Sequence, residues 1–259
     1  MDRFRTRLAP ALRELTIIGI LYVGYSAART LADGNLPKAL SRAIDLERIE
    51  RSLHLPGEQR LNRLATMHGW LGLAADYWYA SLHYIVTAGV LLWLFRRSRD
   101  VYVPARRALA IATAIALGFY LTMPTAPPRM VIGFTDVMAL HANSGWWGTD
   151  ASAPKGLGGM TNELAAFPSM HAGWALWVAL AIWSATRSRV LRTIGVVYAI
   201  GTALVVVATA NHWAIDVIIG QAIILGSWLA THRRPRTAPV TVLFPRPPRR
   251  PSVGEAEAA

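Results

Sequence analysis

Six long apolar blocks limit this chain more than any other feature: Leu15 to Ala28, Tyr77 to Phe95, Ala108 to Met123, Ala172 to Thr186, Thr193 to Ala210 and Val217 to Thr231. Over 259 residues, 53% are hydrophobic and only 16% charged, a balance foreign to a soluble domain. In hydrocarbon every backbone N–H and C=O must be bonded within its own segment, so spans of this composition are helices. The expectation is an all-α polytopic membrane protein, a bundle of six transmembrane helices over residues 15–232. Several blocks fall short of the roughly 20 residues that a straight span needs, so their ends must run into the flanking segments.

A net charge of +12 would suit a nucleic-acid binder until it is sorted by segment. With the N-terminus inside, 18 of the 27 lysines and arginines lie in residues 1–14, the two short inner loops and the tail after Thr231. The outer segments hold nine basic residues against ten acids. Positive charge gathered on one side is a topology signal, and it places both termini in the cytoplasm with no call for nucleic acid. The first block also has the layout of a signal peptide, with a basic start and small residues Ser26, Ala27 and Ala28. An uncleaved helix is preferred, because removing it would leave five spans and an outer N-terminus. Twenty-five arginines against two lysines point to a GC-rich bacterial genome, hence to a plasma membrane.

The segments between spans differ in kind. Residues 33–68 alternate charges with apolar Leu40, Ile44, Ile49, Leu53 and Leu55 at roughly helical spacing, which suggests one or two interfacial helices broken at Pro56-Gly57. A connector lying on the headgroups is favoured over a lipid-gathering surface. Residues 124–170 form the longest outer loop, glycine-rich and carrying Asp136, His141, Trp146, Trp147, Asp150, Asn162 and Glu163. A headgroup lid, with Asn162 among its polar contacts, and a plain connector are both open. Tyr77, Trp78, Tyr79 and Tyr84 fit an aromatic belt. His83, one turn below Tyr79, is either a group lining the site or a histidine bonded within the bundle. Residues 233–259 read as a disordered cytoplasmic tail rich in Pro and Arg. There is no cysteine, so thiolate chemistry and disulfides are excluded.

Three stretches carry chemistry. Phe167-Pro168-Ser169-Met170-His171 opens the fourth span with a hydroxyl, free backbone N–H groups and an imidazole, the outline of a phosphate site. Asn211-His212-Trp213-Ala214-Ile215-Asp216 opens the sixth span, with His212 and Asp216 four residues apart and so on one helix face. Pro124, Pro127 and Pro128 end the third span and fix Arg129 at its rim, where a guanidinium matches phosphate oxygens. The positive-inside reading puts all three at the outer surface.

On these residues the chain resembles the type 2 phosphatidic acid phosphatase superfamily over roughly residues 70–232, and within it the branch containing inositol phosphorylceramide synthases. FPSMHAGWA carries most of the resemblance, with His212-x-x-x-Asp216 behind it and Pro127-Pro128-Arg129 where the family has its basic motif. The family's Lys is replaced by Thr122, its Pro after the Arg by Met130, and its Ser-Arg pair before the third-motif His by Val205 and Val206. Two of three cationic phosphate ligands are therefore absent, which fits the divergent phosphotransferase branch better than an ordinary phosphatidic acid phosphatase. The resemblance implies His212 as nucleophile, held by Asp216 in the correct tautomer, His171 as acid and then base, and Arg129 with Ser169 on the phosphate oxygens. It implies a membrane lipid phosphate or phospholipid as substrate, an outer-leaflet reaction through a phosphohistidine, no cofactor and no metal. Two other readings stand beside it: a catalytically inactive lipid-binding scaffold, and a haem or proton-relay protein using His83, His171 and His212.

Overall fold

In the computed structural model, residues 35–55, 57–147 and 162–232 are described, with the isolated positions 16, 19 and 155. The expected first span, the tail and the middle of the long loop lie outside the described residues. What is described is helical, with one isolated parallel β-bridge between Thr125 and Ala165. Two amphipathic helices come first, α1 (Leu36–Ser52) and α2 (Glu58–Met67). Asn35 caps α1 by accepting the Lys38 N–H. Between them Gly57 takes φ +139°, a conformation open to glycine and strained for other residues.

Among the described residues four helices are long and apolar enough to cross a membrane: α3 (Gly69–Arg97), α4 (Arg99–Thr122), α7 (Arg189–Ala208) and α8 (Ala214–His232). A short α5 (Val137–Leu140) lies in the long loop, and α6 (Met170–Ala185) is an apolar helix of 16 residues. The described residues thus supply four full-length spans and one shorter helix where five blocks were expected.

Two spans start earlier than the apolar blocks suggest. α3 begins at Gly69 rather than Tyr77, because the acid that interrupts the block, Asp76, is fully buried and paired with His141 at 2.6 Å. α4 begins at Arg99 rather than Ala108 and runs through Pro104 and two arginines. Pro104 lies close enough to the helix start for the lost N–H to be tolerated, and the Arg106 guanidinium lies over the Tyr102 ring at 5.7 Å.

α6 sits at the centre, packed against α3, α4, α7 and α8. Its short length and its lack of a polar face follow from that position, since a helix apolar all round is a buried one. Close approach is made by small residues: Ala105, Ala108, Ala112 and Ala116 on α4 are fully buried, and the Trp177 indole of α6 donates to the Ala105 carbonyl at 2.7 Å.

The paired helices α1 and α2 pack one face onto the bundle end, burying Ala39, Ala43, Glu50, Glu58 and Asn62, and leave Ile44, Ile49 and Leu64 exposed on another. Ala126 N–H donates to the Ala39 carbonyl at 3.2 Å, and the Arg42 guanidinium donates to the Pro124 carbonyl at 2.8 Å.

Candidate functional site

The end of α4, the starts of α6 and α8 and the end of α7 meet at one end of the bundle, tied largely by main chain. Thr125 N–H donates to the Leu164 carbonyl at 2.7 Å and Arg129 N–H to the Ala210 carbonyl at 2.9 Å. Ser169 N–H donates to the Asp216 carbonyl at 2.9 Å. The Trp213 indole, fully buried, donates to the Ala126 carbonyl at 3.1 Å. Each of the three sequence motifs is thereby bonded to another before any candidate site side chain is placed.

Ser169 is the N-cap of α6, its hydroxyl accepting the Ala172 N–H at 3.4 Å, and it follows a cis Phe167–Pro168 bond. Its own O–H remains as a donor. The Tyr120 hydroxyl donates to the Pro168 carbonyl at 2.7 Å. α8 presses against this turn at Gly220, where a Cβ would stand 2.1 Å from the Ser169 carbonyl oxygen. Only a residue without a side chain allows the approach.

α7 ends in a tight turn at Ala210, φ +56°, and Asn211 and His212 N–H both bond back to the Val206 carbonyl. That aims His212 across the gap to α6. Its Nδ1 lies 2.8 Å from the Ala166 carbonyl, which can only accept, so Nδ1 carries the proton and Nε2 a lone pair. The Nε2 atom lies 3.4 Å from His171 Nδ1. Burial and the nearby Arg129 charge lower the His212 pKa to about 4, opposed by the bond to Ala166. The bond expected from Asp216 runs elsewhere. Its Oδ2 is 3.7 Å from His212 Nδ1 and accepts the Trp213 N–H at 2.8 Å, a carboxylate three residues into α8 reaching back to the residue before the helix.

Arg129 is nearly buried. Its Nη1 donates to Asn211 Oδ1 at 2.6 Å and its Nε stands 3.3 Å from Asp136 Oδ2. Asp136 also caps α5 through the Ala139 N–H. The guanidinium is thus oriented by the residue before His212 and by the long loop together.

His83 lies against His171, ring centroids 4.0 Å apart, with its Nδ1 on the Tyr79 carbonyl at 3.0 Å. Asn162 is placed differently. Its Oδ1 accepts the Leu164 N–H at 3.1 Å and serves the turn ahead of the Pro-Ser motif, with no bond to either histidine among the described residues.

Several residues here were not singled out from sequence. Tyr79, expected in an aromatic belt, stacks on His171 at 4.3 Å and 19°. Asn62 clamps the loop to the end of α7, donating to the Thr135 and Ala208 carbonyls and accepting the Thr135 N–H. Glu58 accepts the Ala214 N–H, and Glu50 the Ile215 N–H at 2.7 Å. With Asp216 on Trp213, three carboxyls cover the exposed amides that open α8. Burial first, then the hydrogen bond and charge of Glu50, push Glu58 up to about 9, and burial raises Glu50 as well. Asn211 alone had a signal in the sequence, its place beside His212.

Among the described residues no group of three or more His, Asp or Glu side chains is arranged to hold a metal ion. The description of the PAP2 superfamily matches residues 44–230. No curated protein and no solved structure matches the chain.

Proposed function

The chain belongs to the PAP2 superfamily, and from that premise we propose that it transfers a phosphoryl or phospho-headgroup on a membrane lipid through a phosphohistidine. The observation that carries this is the facing pair of histidines: His212 with its lone pair on Nε2, 3.4 Å from His171 Nδ1, beside a guanidinium fixed by Asn211. His212 Nε2 attacks phosphorus, and the leaving oxygen takes the proton of His171. Arg129, the Ser169 hydroxyl and the first amides of α6 hold the charge on the equatorial oxygens. His171 then removes a proton from water or an alcohol, whose oxygen displaces His212 from phosphorus.

Arg129 is the only arginine bonded into this group among the described residues, and Asp136 offsets part of its charge. A phosphate with a single negative charge, as in a diester, suits such a site. That argument keeps transfer of an inositol-type phospho-headgroup beside hydrolysis of a lipid monoester. Arginines cluster at the opposite end of the bundle, at 96, 97, 99, 187, 189 and 192, which favours six spans with the histidines at the extracytoplasmic leaflet.

The test is turnover by purified protein in vesicles without added metal, over phosphatidic acid, polyprenyl phosphate and phosphatidylinositol, with His212→Ala as control. Phosphate release lost in the variant supports a phosphatase. A transferred headgroup without free phosphate supports a transferase. Turnover no greater than that of the variant on every lipid sinks the proposal in favour of a lipid-binding scaffold.

A further inference from the structure

His171 has one hydrogen-bond partner among the described residues, the His212 Nε2 atom, at a long 3.4 Å. In the proposed reaction phosphorus comes to His212 Nε2, and that contact is lost. An acid that must then aim one nitrogen at the leaving oxygen needs another means of orientation.

The means is supplied by α3, at a place where the helix is irregular. Trp78–Leu82 form a π turn, which inserts one residue and rotates the faces on either side by roughly 100°. The turn is anchored to α7: the Trp78 indole donates to Thr202 Oγ1 at 3.0 Å and stacks on Tyr198 at 6.0 Å and 17°. Gly201 leaves room for it, since a Cβ there would meet the Trp78 ring at 3.1 Å. So anchored, the turn and the residue after it present two rings to His171. Tyr79 stacks on it at 4.3 Å and 19°, and His83 lies against it at 4.0 Å and 59°. The His83 Nδ1 lies 3.0 Å from the Tyr79 carbonyl, one turn back on the same helix.

We infer that Tyr79 and His83 are positioning residues for His171, one ring on the π turn and one on the residue that follows it, which hold its imidazole at the angle required for proton transfer once substrate separates it from His212. The role rests on the proposed function above. Neither ring exchanges a proton with substrate; they act through His171 by contact of ring on ring, Tyr79 stacked and His83 tilted, so a phenyl ring replaces either.

The experiment is NMR of the full chain labelled with 15N-histidine, in lipid nanodiscs from pH 4 to 9. Wild type is compared with Tyr79→Leu and His83→Gln, which remove a ring, and with Tyr79→Phe and His83→Phe, which keep one. The groups that titrate or carry charge around His171 are His83 and Tyr79 from α3, His212 before α8, Asp216 on α8 and Arg129 behind His212. A single His171 tautomer is expected in wild type and in both Phe variants. In the ring-removing variants the His171 signals average, while His212, held by Ala166, keeps its tautomer. Turnover of dioctanoyl phosphatidic acid and dioctanoyl phosphatidylinositol in the same samples should lose about tenfold in kcat at unchanged KM in those variants. His171 signals unchanged by removing a ring, or moved as far by Tyr79→Phe as by Tyr79→Leu, overturn the inference. Should Tyr79→Leu fail to fold, His83→Gln against His83→Phe decides it. The NMR signals need no turnover, so an inactive wild type would defeat the phosphotransfer reading separately.

Discussion

His212 is buried with its Nδ1 proton on a carbonyl, and the consequence is an imidazole that stays neutral well below the ordinary histidine range. With its pKa lowered to about 4 by burial and by Arg129, the lone pair on Nε2 is free above that pH and lost below it. The acid limb of kcat/KM that belongs to His212 should therefore fall near pH 4. Arg129→Gln removes one of the charges that disfavour the imidazolium, so the limb should move to higher pH, which a pH profile of the variant checks. Arg129→Lys tests the fork instead. A lysine keeps the charge but cannot bond Asn211 and phosphate oxygens in one plane, and kcat/KM should fall by roughly 10- to 100-fold, the worth of about 1.5–3 kcal/mol for a charge-assisted bond.

Two contacts between elements decide whether these side chains meet. α8 reaches the Pro-Ser turn only because Gly220 has no side chain. Gly220→Ala should cost about 1–3 kcal/mol of stability by overpacking and abolish turnover, whereas Gly89→Ala on α3, where a Cβ would meet nothing within 4 Å, should change neither; melting temperatures in detergent separate the two. The clamp of α1 and α2 on α8 is sensitive to pH in a defined direction. The Glu58 pKa is raised in the fold to about 9 from an ordinary 4.5, so between these values the folded chain holds a proton that the unfolded chain has lost. Stability from this group is complete below the lower value, declines as pH rises between the two and is lost once pH has passed the upper one. Melting temperature should fall between about pH 5 and 9, and Glu58→Gln, which still offers an oxygen to Ala214, should flatten that fall. Little of this clamp was legible beforehand. An acid on an amphipathic helix reads as facing water, and its partner amides on α8 lie more than 150 residues away. The early start of α3 was hidden for the same reason, since the partner of Asp76 is 65 residues distant.

At the scale of the whole molecule, much more could be read. A bilayer forces apolar blocks to be helices and helix ends to gather at two surfaces, so the meeting of His171, His212, Asp216 and Arg129 follows from motifs that stand at span ends of one sidedness. Asn162, on a loop without such a constraint, went to a turn instead. The tautomer bond to Ala166 was illegible, because a backbone carbonyl leaves no mark in a sequence. The sidedness itself can be measured, as the chain has no cysteine. A cysteine at Asn143 should react with a membrane-impermeant maleimide in intact cells, and one at Arg187 only after permeabilisation; the reverse pattern would invert the topology. The ties among Thr125, Leu164, Arg129, Ala210, Ser169 and Asp216 are main-chain bonds, and every residue except proline can donate them. Descendants of this chain are therefore free to exchange most of the loop side chains that surround the site while its geometry is inherited, and a saturation library should show tolerance there broken at Gly220 and wherever proline is introduced at a donating position.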